Sequence, residues 1–151
     1  MFSLEGVPES GCSLAPALVE GADVFVHNRD EKQTQELCSV FGSSVISEKD
    51  IAKHEYDIIV NATPIGMKPN VDAMPIPADL IRPGVTVFDL VYSPLETKLL
   101  REAKAKGAKA ISGLVMFLAQ GLEQERLWLG REIESTPYAK LLEKHVRERG
   151  D

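Results

Sequence analysis

Residues 57–67 read DIIVNATPIGM, and this stretch decides the fold. Its first residues form a short, largely β-branched apolar run, which is typical of a buried strand. Pro64 and Gly66 then end the run and fix an unusual backbone just past its carboxyl end. Ligands of open α/β sheets bind at that edge. The stretch therefore predicts a central strand followed by a ligand-binding loop, with an ordinary strand-to-loop exit as the alternative.

Similar short apolar runs lie on both sides of this stretch, with helical segments between them. The predicted strands are residues 2–4, 23–27, 44–46, 57–61, 86–89 and 108–111. Predicted helices cover residues 31–40, ending near Gly42, and 97–106, ending at Gly107. This alternation is typical of βαβ units and of a mostly parallel sheet covered on both faces. We expect an α/β chain that forms one domain over residues 1–151.

Two consecutive helices are predicted after the last strand, at residues 114–129 and 137–146. The second begins with Thr136 as N-cap and Pro137 at the first helical position. One face of this helix collects four side chains at helical spacing: Tyr138, Leu141, Leu142 and His145. We expect this face to dock against another surface, with His145 as a packed or rim residue and not as a ligand.

Composition limits the function classes. Hydrophobic residues make up 44% and charged residues 26% of the chain, and no apolar run is long enough to cross a bilayer. A net charge of −6 argues against a nucleic-acid surface. The first residues lack the pattern of a signal peptide, so we expect a cytoplasmic protein with Cys12 and Cys38 as free thiols. The three histidines show no metal-ligand spacing, and we expect no metal site.

Five blocks of the chain resemble, in order, the motifs of the NADP-dependent shikimate dehydrogenase family. They are NATPIGM at residues 61–67, DLVYSP at 89–94, TKLL at 97–100, GLVMFLAQ at 113–120 and LWLG at 127–130. The resemblance covers roughly residues 20 to 150 and implies a Rossmann-like, doubly wound cofactor-binding domain with two extra C-terminal helices. It also implies NADPH-dependent reduction of 3-dehydroshikimate to shikimate, in aromatic amino-acid biosynthesis, with Asn61 and Thr63 among the cofactor-binding residues. A quinate/shikimate dehydrogenase paralogue and a non-catalytic dinucleotide- or ligand-binding or assembly module stay open as alternatives.

Residues 27–32 read HNRDEK and follow a predicted strand where a dinucleotide fold meets the adenosine ribose. Asn28 and Arg29 stand where an acidic residue would select NAD, and a guanidinium can pair with a 2′-phosphate. The positions therefore favour NADP, with Lys32 nearby. The family typically has Asn-Arg-Thr here, so Asp30 removes a hydroxyl and adds a negative charge that weakens this preference. In the alternative interpretation, Arg29 and Lys32 are solvated charges paired with acidic neighbours.

The first glycine turn departs furthest from the family. A fingerprint turn lets backbone amides approach a pyrophosphate at a helix N-terminus. Residues 6–15 read GVPESGCSLA, where Pro8 brings no N–H and Glu9 adds a negative charge. We assign only Gly6 and Gly11 of this turn to the cofactor. Altered or lost affinity for the cofactor stays open as an alternative.

The resemblance also implies roles near the reacting groups. Gly113 and Met116 would lie near the nicotinamide, Gln120 would hydrogen-bond a hydroxyl of shikimate, and Tyr92 would line the same cleft. The alternative makes Met116 and Phe117 part of a helix core and Gln120 an exposed polar residue.

Hydride transfer to a carbonyl also requires a proton donor. The family takes that group, a lysine paired with an aspartate, from an N-terminal substrate domain, and no catalytic residue can be assigned in this chain. We therefore expect the isolated chain to be inactive toward shikimate. Its terminal helices would expose apolar faces, so we also expect a homo-oligomer that buries Leu141, Leu142 and Val146.

Overall fold

A computed structural model describes residues 2–4 and 20–150, and six strands of this part form one fully parallel sheet. The strands are β1 (Phe2–Leu4), β2 (Phe25–His27), β3 (Ser44–Val45), β4 (Ile58–Ala62), β5 (Thr86–Asp89) and β6 (Lys109–Ser112). Their order across the sheet is β3-β2-β1-β4-β5-β6. This is the strand order of Rossmann folds, in which the connection direction reverses between β1 and β4. The predicted α/β class is confirmed.

Five α-helices of the described part connect or follow the strands. They are α1 (Glu31–Phe41), α2 (Glu48–Ile51), α3 (Lys98–Ala105), α4 (Gly113–Leu129) and α5 (Thr136–Gly150), and a 3-10 turn covers Ala78–Leu80. The cap signals in the sequence explain where the longer connectors end. Gly42 has φ 70° and donates its N–H to the carbonyl of Cys38, which closes α1. Gly107 has φ 75° just after α3, as its predicted position required.

The sheet is covered on both faces because consecutive residues of each strand point to opposite sides. On β4, Ile59 belongs to one buried cluster and Val60 to the other. On β5, Val87 and Phe88 divide in the same way. The larger cluster also contains the apolar side of α3, with Leu99, Leu100 and Ala103. This two-sided packing holds the carboxyl edge of the sheet in place.

The structure differs from the sequence predictions at several element ends and in one short helix. Thr136 is the first residue of α5 and not its N-cap, and the N–H of Ala139 donates to the carbonyl of Ser135 at 3.0 Å. Ile46 lies just outside β3, although its N–H still donates to the carbonyl of Val26 at 2.9 Å. Helix α2 was not predicted, because four residues are too few to show a helical period.

Several large apolar side chains of the α4–α5 pair are exposed. Helix α5 packs along α4, yet Tyr138 and Leu141 remain 46% and 64% exposed, and His145 is exposed as well. Trp128, near the end of α4, is 76% exposed. The expected docking of the α5 face is therefore only partial here. Within the described ranges, every helix is too short or too polar to pass through a bilayer.

Candidate functional site: a cofactor cleft at the carboxyl edge of the sheet

The loop after β4 is held by the side chain of Asn61, which is fully buried. Its Oδ1 accepts hydrogen bonds from the N–H and the hydroxyl of Thr63, at 3.1 and 2.6 Å. Its Nδ2 donates to the carbonyl of Ile65 at 3.1 Å and to Asp89 Oδ1 at 2.8 Å. All polar atoms of this amide are thus used inside the protein.

Asp89, the last residue of β5, is the centre of this buried network. Its carboxylate accepts hydrogen bonds from Asn61, from the N–H of Val91 at 3.1 Å and from the hydroxyl of Thr97 at 2.5 Å. Burial raises the pKa of Asp89 above its usual range, and the three hydrogen bonds partly oppose this change. The carboxylate therefore depends on these donors to stay in a site closed to water.

Thr97 joins the network to helix α3. Its hydroxyl donates to Asp89 and also accepts the N–H of Leu100 at 3.3 Å, which caps the helix. Sequence reasoning placed Thr97 only at a helix end and gave Asp89 no role. The available signal was a charged residue at the end of an otherwise apolar strand, which requires partners if it is buried.

Helix α4 begins directly against the exit of β5. Ser112 caps it by accepting the N–H of Leu114 at 3.3 Å, and Gly113 is its first, buried residue. A Cβ at Gly113 would lie 2.1 Å from the carbonyl oxygen of Leu90. Only glycine allows this approach. The predicted residue Gly113 thus lies at the carboxyl edge of the sheet, with Met116 one turn further along.

Arg29 follows β2 and lines a cavity of about 490 Å³ together with the loop after β4. The other described residues of this lining are Pro64, Ile65, Met67, Lys68, Pro69, Asn70, Ala73 and Met74. Lys68 adds a second cation to the mostly apolar wall. We call this cavity the Arg29 groove. Its volume lies in the range of cofactor and ligand pockets.

The neighbours of Arg29 take other places. Asn28 donates from its side chain to Gln33 Oε1 at 3.3 Å, and Lys32 is exposed on α1. Neither is among the described residues that line the groove. Asp30, where the family typically has threonine, caps α1 by accepting the N–H of Gln33 at 3.0 Å. Part of its negative charge is therefore directed at the N-terminus of the helix.

Of the two predicted substrate residues, Gln120 lies on α4, and Tyr92 follows β5 and packs against that helix. Tyr92 is 43% exposed and stacks on Phe117 at a ring-centroid distance of 5.3 Å. Gln120 is exposed one turn after Phe117, and both line a cavity of about 260 Å³ between α4 and α5. Phe117 thus connects Tyr92 and Gln120 on one side of the helix.

Gly6, Gly11 and Cys12 lie outside the described residues. Cys38 is a buried free thiol. Among residues 2–4 and 20–150, no three His, Cys, Asp or Glu side chains come together in a way that could hold a metal ion.

The parallel sheet, its strand order and a cleft at its carboxyl edge define a Rossmann-like dinucleotide-fold domain. No family model matches the chain. It is 40% identical over 139 residues to the NADP(+) shikimate dehydrogenase of Methanosarcina mazei, and the match covers 85% of this chain and 48% of that protein. In sequence and fold, the chain corresponds to the cofactor-binding half of the shikimate dehydrogenases. The resemblance seen in the sequence motifs is confirmed.

Solved structures agree with this assignment. Shikimate 5-dehydrogenase of Thermus thermophilus, in complex with NADP(H) and shikimate, matches with a TM-score of 0.80 and 34% identity. The match covers 99% of this chain and 54% of that one. A chorismate mutase/shikimate 5-dehydrogenase fusion protein from Clostridium acetobutylicum matches with a TM-score of 0.82 and 26% identity, over 97% of this chain and 54% of that one. The chain spans about half the length of the relatives it matches.

Proposed function

We propose that this chain is the NADP-binding half of a shikimate dehydrogenase. Together with a substrate domain, it would carry out the NADPH-dependent reduction of 3-dehydroshikimate to shikimate. The observation that carries the proposal is Arg29, which lines the Arg29 groove against the loop after β4. A guanidinium there suits a 2′-phosphate, and the groove has the size and the mixed lining of a nucleotide pocket.

When bound, NADPH supplies the hydride, and the protein's part is to bind and orient it. We assign the 2′-phosphate to Arg29, with Asn28 and Lys32 as flanking groups. The side chains of Asn61 and Thr63 are occupied internally, so this loop would offer the cofactor its backbone and its apolar residues. Gly113 and Met116 would lie near the nicotinamide.

The substrate side of the cleft is assigned to Tyr92 and Gln120. Tyr92 is fixed by its stack on Phe117, and Gln120 presents an exposed amide that can hydrogen-bond a hydroxyl. The proton donor of the reaction is not assigned to any residue of this chain. An assay with shikimate and with quinate, on a protein that carries both the cofactor-binding half and the substrate domain, distinguishes a shikimate dehydrogenase from a quinate/shikimate dehydrogenase paralogue. We propose that the protein works in the cytoplasm.

Arg29→Ala tests the cofactor assignment. We expect calorimetric titration to show NADP+ binding weakened about ten- to a hundredfold, because a charge-assisted pair with the 2′-phosphate is lost. NAD+ lacks that phosphate, so its binding should change by less than about threefold. Arg29→Lys keeps the charge without the planar fork and should recover only part of the affinity.

Arg101→Ala is the matched control, since this exposed arginine on α3 lies outside the lining of the Arg29 groove. Equal losses for NADP+ and NAD+ in Arg29→Ala would contradict the assigned role. If the unaltered chain binds neither cofactor at millimolar concentration, the non-catalytic binding or assembly module becomes the better interpretation, and Pro8 and Glu9 supply its physical reason.

We also propose that the chain self-associates through α5. Leu141 and Tyr138 are exposed on this helix, and half-buried Leu142 and Val146 lie beside them. Apolar patches of this kind favour association. Light scattering should show a dimer or larger species that Leu141→Lys disperses, and a monodisperse monomer of the unaltered chain would refute it.

A further inference from the structure

We propose that Asp89 and Thr97 are positioning residues of the cofactor cleft, which set the shape of the loops after β4 and β5. The inference rests on the proposed function for its link to NADP. Neither residue lines the Arg29 groove among the described residues. Both would act through the loops they hold.

A continuous chain of hydrogen bonds leads from α3 to the groove. Thr97 donates to Asp89, Asn61 donates to the same carboxylate, Thr63 donates to Asn61, and the N–H of Ile65 donates to Thr63 Oγ1 at 3.1 Å. Ile65 itself lines the groove together with Arg29. Since the four polar side chains are at most 5% exposed, water cannot replace a lost partner without opening the core.

The same carboxylate holds the second loop. Asp89 Oδ1 also accepts the N–H of Val91, the residue after Leu90. The carbonyl of Leu90 packs against Gly113 at the start of α4. Asp89 therefore holds both loops, the one after β4 through Asn61 and the one after β5 through Val91.

The methyl group of Thr97 also faces the loop after β4. Its Cγ2 lies 3.5 Å from the position that a Cβ would take at Gly66, which places it beside the far end of that loop. The hydroxyl and the methyl group thus face the same loop from one side chain. This makes Thr97 the position where the two contributions can be separated by substitution.

The test uses Thr97→Val, which keeps the shape but removes the hydroxyl, and Thr97→Ser, which keeps the hydroxyl. Two quantities are measured at a temperature where every variant is folded. They are the Kd for NADP+ by calorimetry and the hydrogen-exchange rates of the Ile65 and Val91 amides. In Thr97→Val we expect the Kd to rise about tenfold, a usual size for coupling between sites, and both amides to exchange about tenfold faster. Thr97→Ser should stay within about threefold of the unaltered chain in both quantities.

Ile81→Val controls for lost stability, because Ile81 is buried in the larger core cluster and is not one of the hydrogen-bonded residues of the network. This variant should leave the Kd and the two exchange rates unchanged. Unchanged exchange at Ile65 and Val91 in Thr97→Val overturns the inference, and so does an unchanged Kd where the unaltered chain binds NADP+. If that chain binds no NADP+, the proposed function fails alone, and the exchange rates still decide whether Asp89 and Thr97 position the loops.

Discussion

Gly113→Ala is expected to lower the free energy of unfolding by about 3 kcal/mol or more, at the upper end of the cost of overpacking a core. The added Cβ would lie 2.1 Å from the carbonyl oxygen of Leu90, 2.5 Å from its carbonyl carbon and 2.9 Å from the carbonyl oxygen of Asp89. All three are backbone atoms that cannot rotate away. Either the start of α4 or the exit of β5 must therefore move, and both lie at the carboxyl edge of the sheet.

Urea unfolding of Gly113→Ala and Gly121→Ala provides the comparison. Gly121 lies in the middle of the same helix, and a Cβ there meets no atom within 4 Å. Alanine should therefore stabilise the chain at Gly121 by up to about 1 kcal/mol, through helix propensity alone. Opposite signs for the two substitutions support the close approach at Gly113. A loss below about 1 kcal/mol at Gly113 would show that the backbone yields easily.

The sheet could be predicted because its strands are short apolar runs with clear ends. Residues 57–61 were predicted as a strand, and β4 covers Ile58–Ala62, one residue later. Such shifts are usual where a strand continues into a loop held by side chains, as Asn61 holds Thr63 here. Helix ends marked by Gly42 and Gly107 were predicted for the same local reason, since both residues adopt positive φ.

The first residue of α5 could not be predicted from the capping residues in the sequence. Ser135 and Thr136 are neighbouring hydroxyl residues, and either can cap a helix. Residue type alone therefore does not decide which of the two precedes the helix.

The sequence predicts the surroundings of some site residues and not of others, because some contacts are local and others join distant parts of the chain. Arg29 could be placed because its position follows from the end of β2, and the structure brings it to a groove with the loop after β4. Asn61 and Thr63 were assigned to the cofactor, yet their side chains are buried and bonded to each other. Their main partner, Asp89, lies 28 residues further along the chain from Asn61, so only the sheet register brings it within reach.

Asp89→Ala is expected to cost about 3 kcal/mol or more of unfolding free energy. It removes the acceptor of three buried donors, the side chain of Asn61, the N–H of Val91 and the hydroxyl of Thr97. Each unpaired buried donor costs about 1–3 kcal/mol, and relief of the buried charge offsets part of the sum. Asp89→Asn retains an oxygen for Asn61 and Val91, so its loss in urea unfolding should be about half as large. Equal, small losses in both variants would show that water fills the site.

The pH dependence separates the charge from the hydrogen bonds. Because burial raises the pKa of Asp89 in the folded chain, the folded state binds its proton more tightly than the unfolded state. The stability from this proton is complete below the ordinary pKa of 3.8 and is lost as the pH rises through the raised value. The asparagine side chain of the Asp89→Asn variant does not titrate. The unfolding free energy of the unaltered chain, minus that of Asp89→Asn, should therefore fall as the pH rises above about 4. A difference that rises with pH would mean that the three donors outweigh burial, and that the carboxylate is stabilised in its charged form.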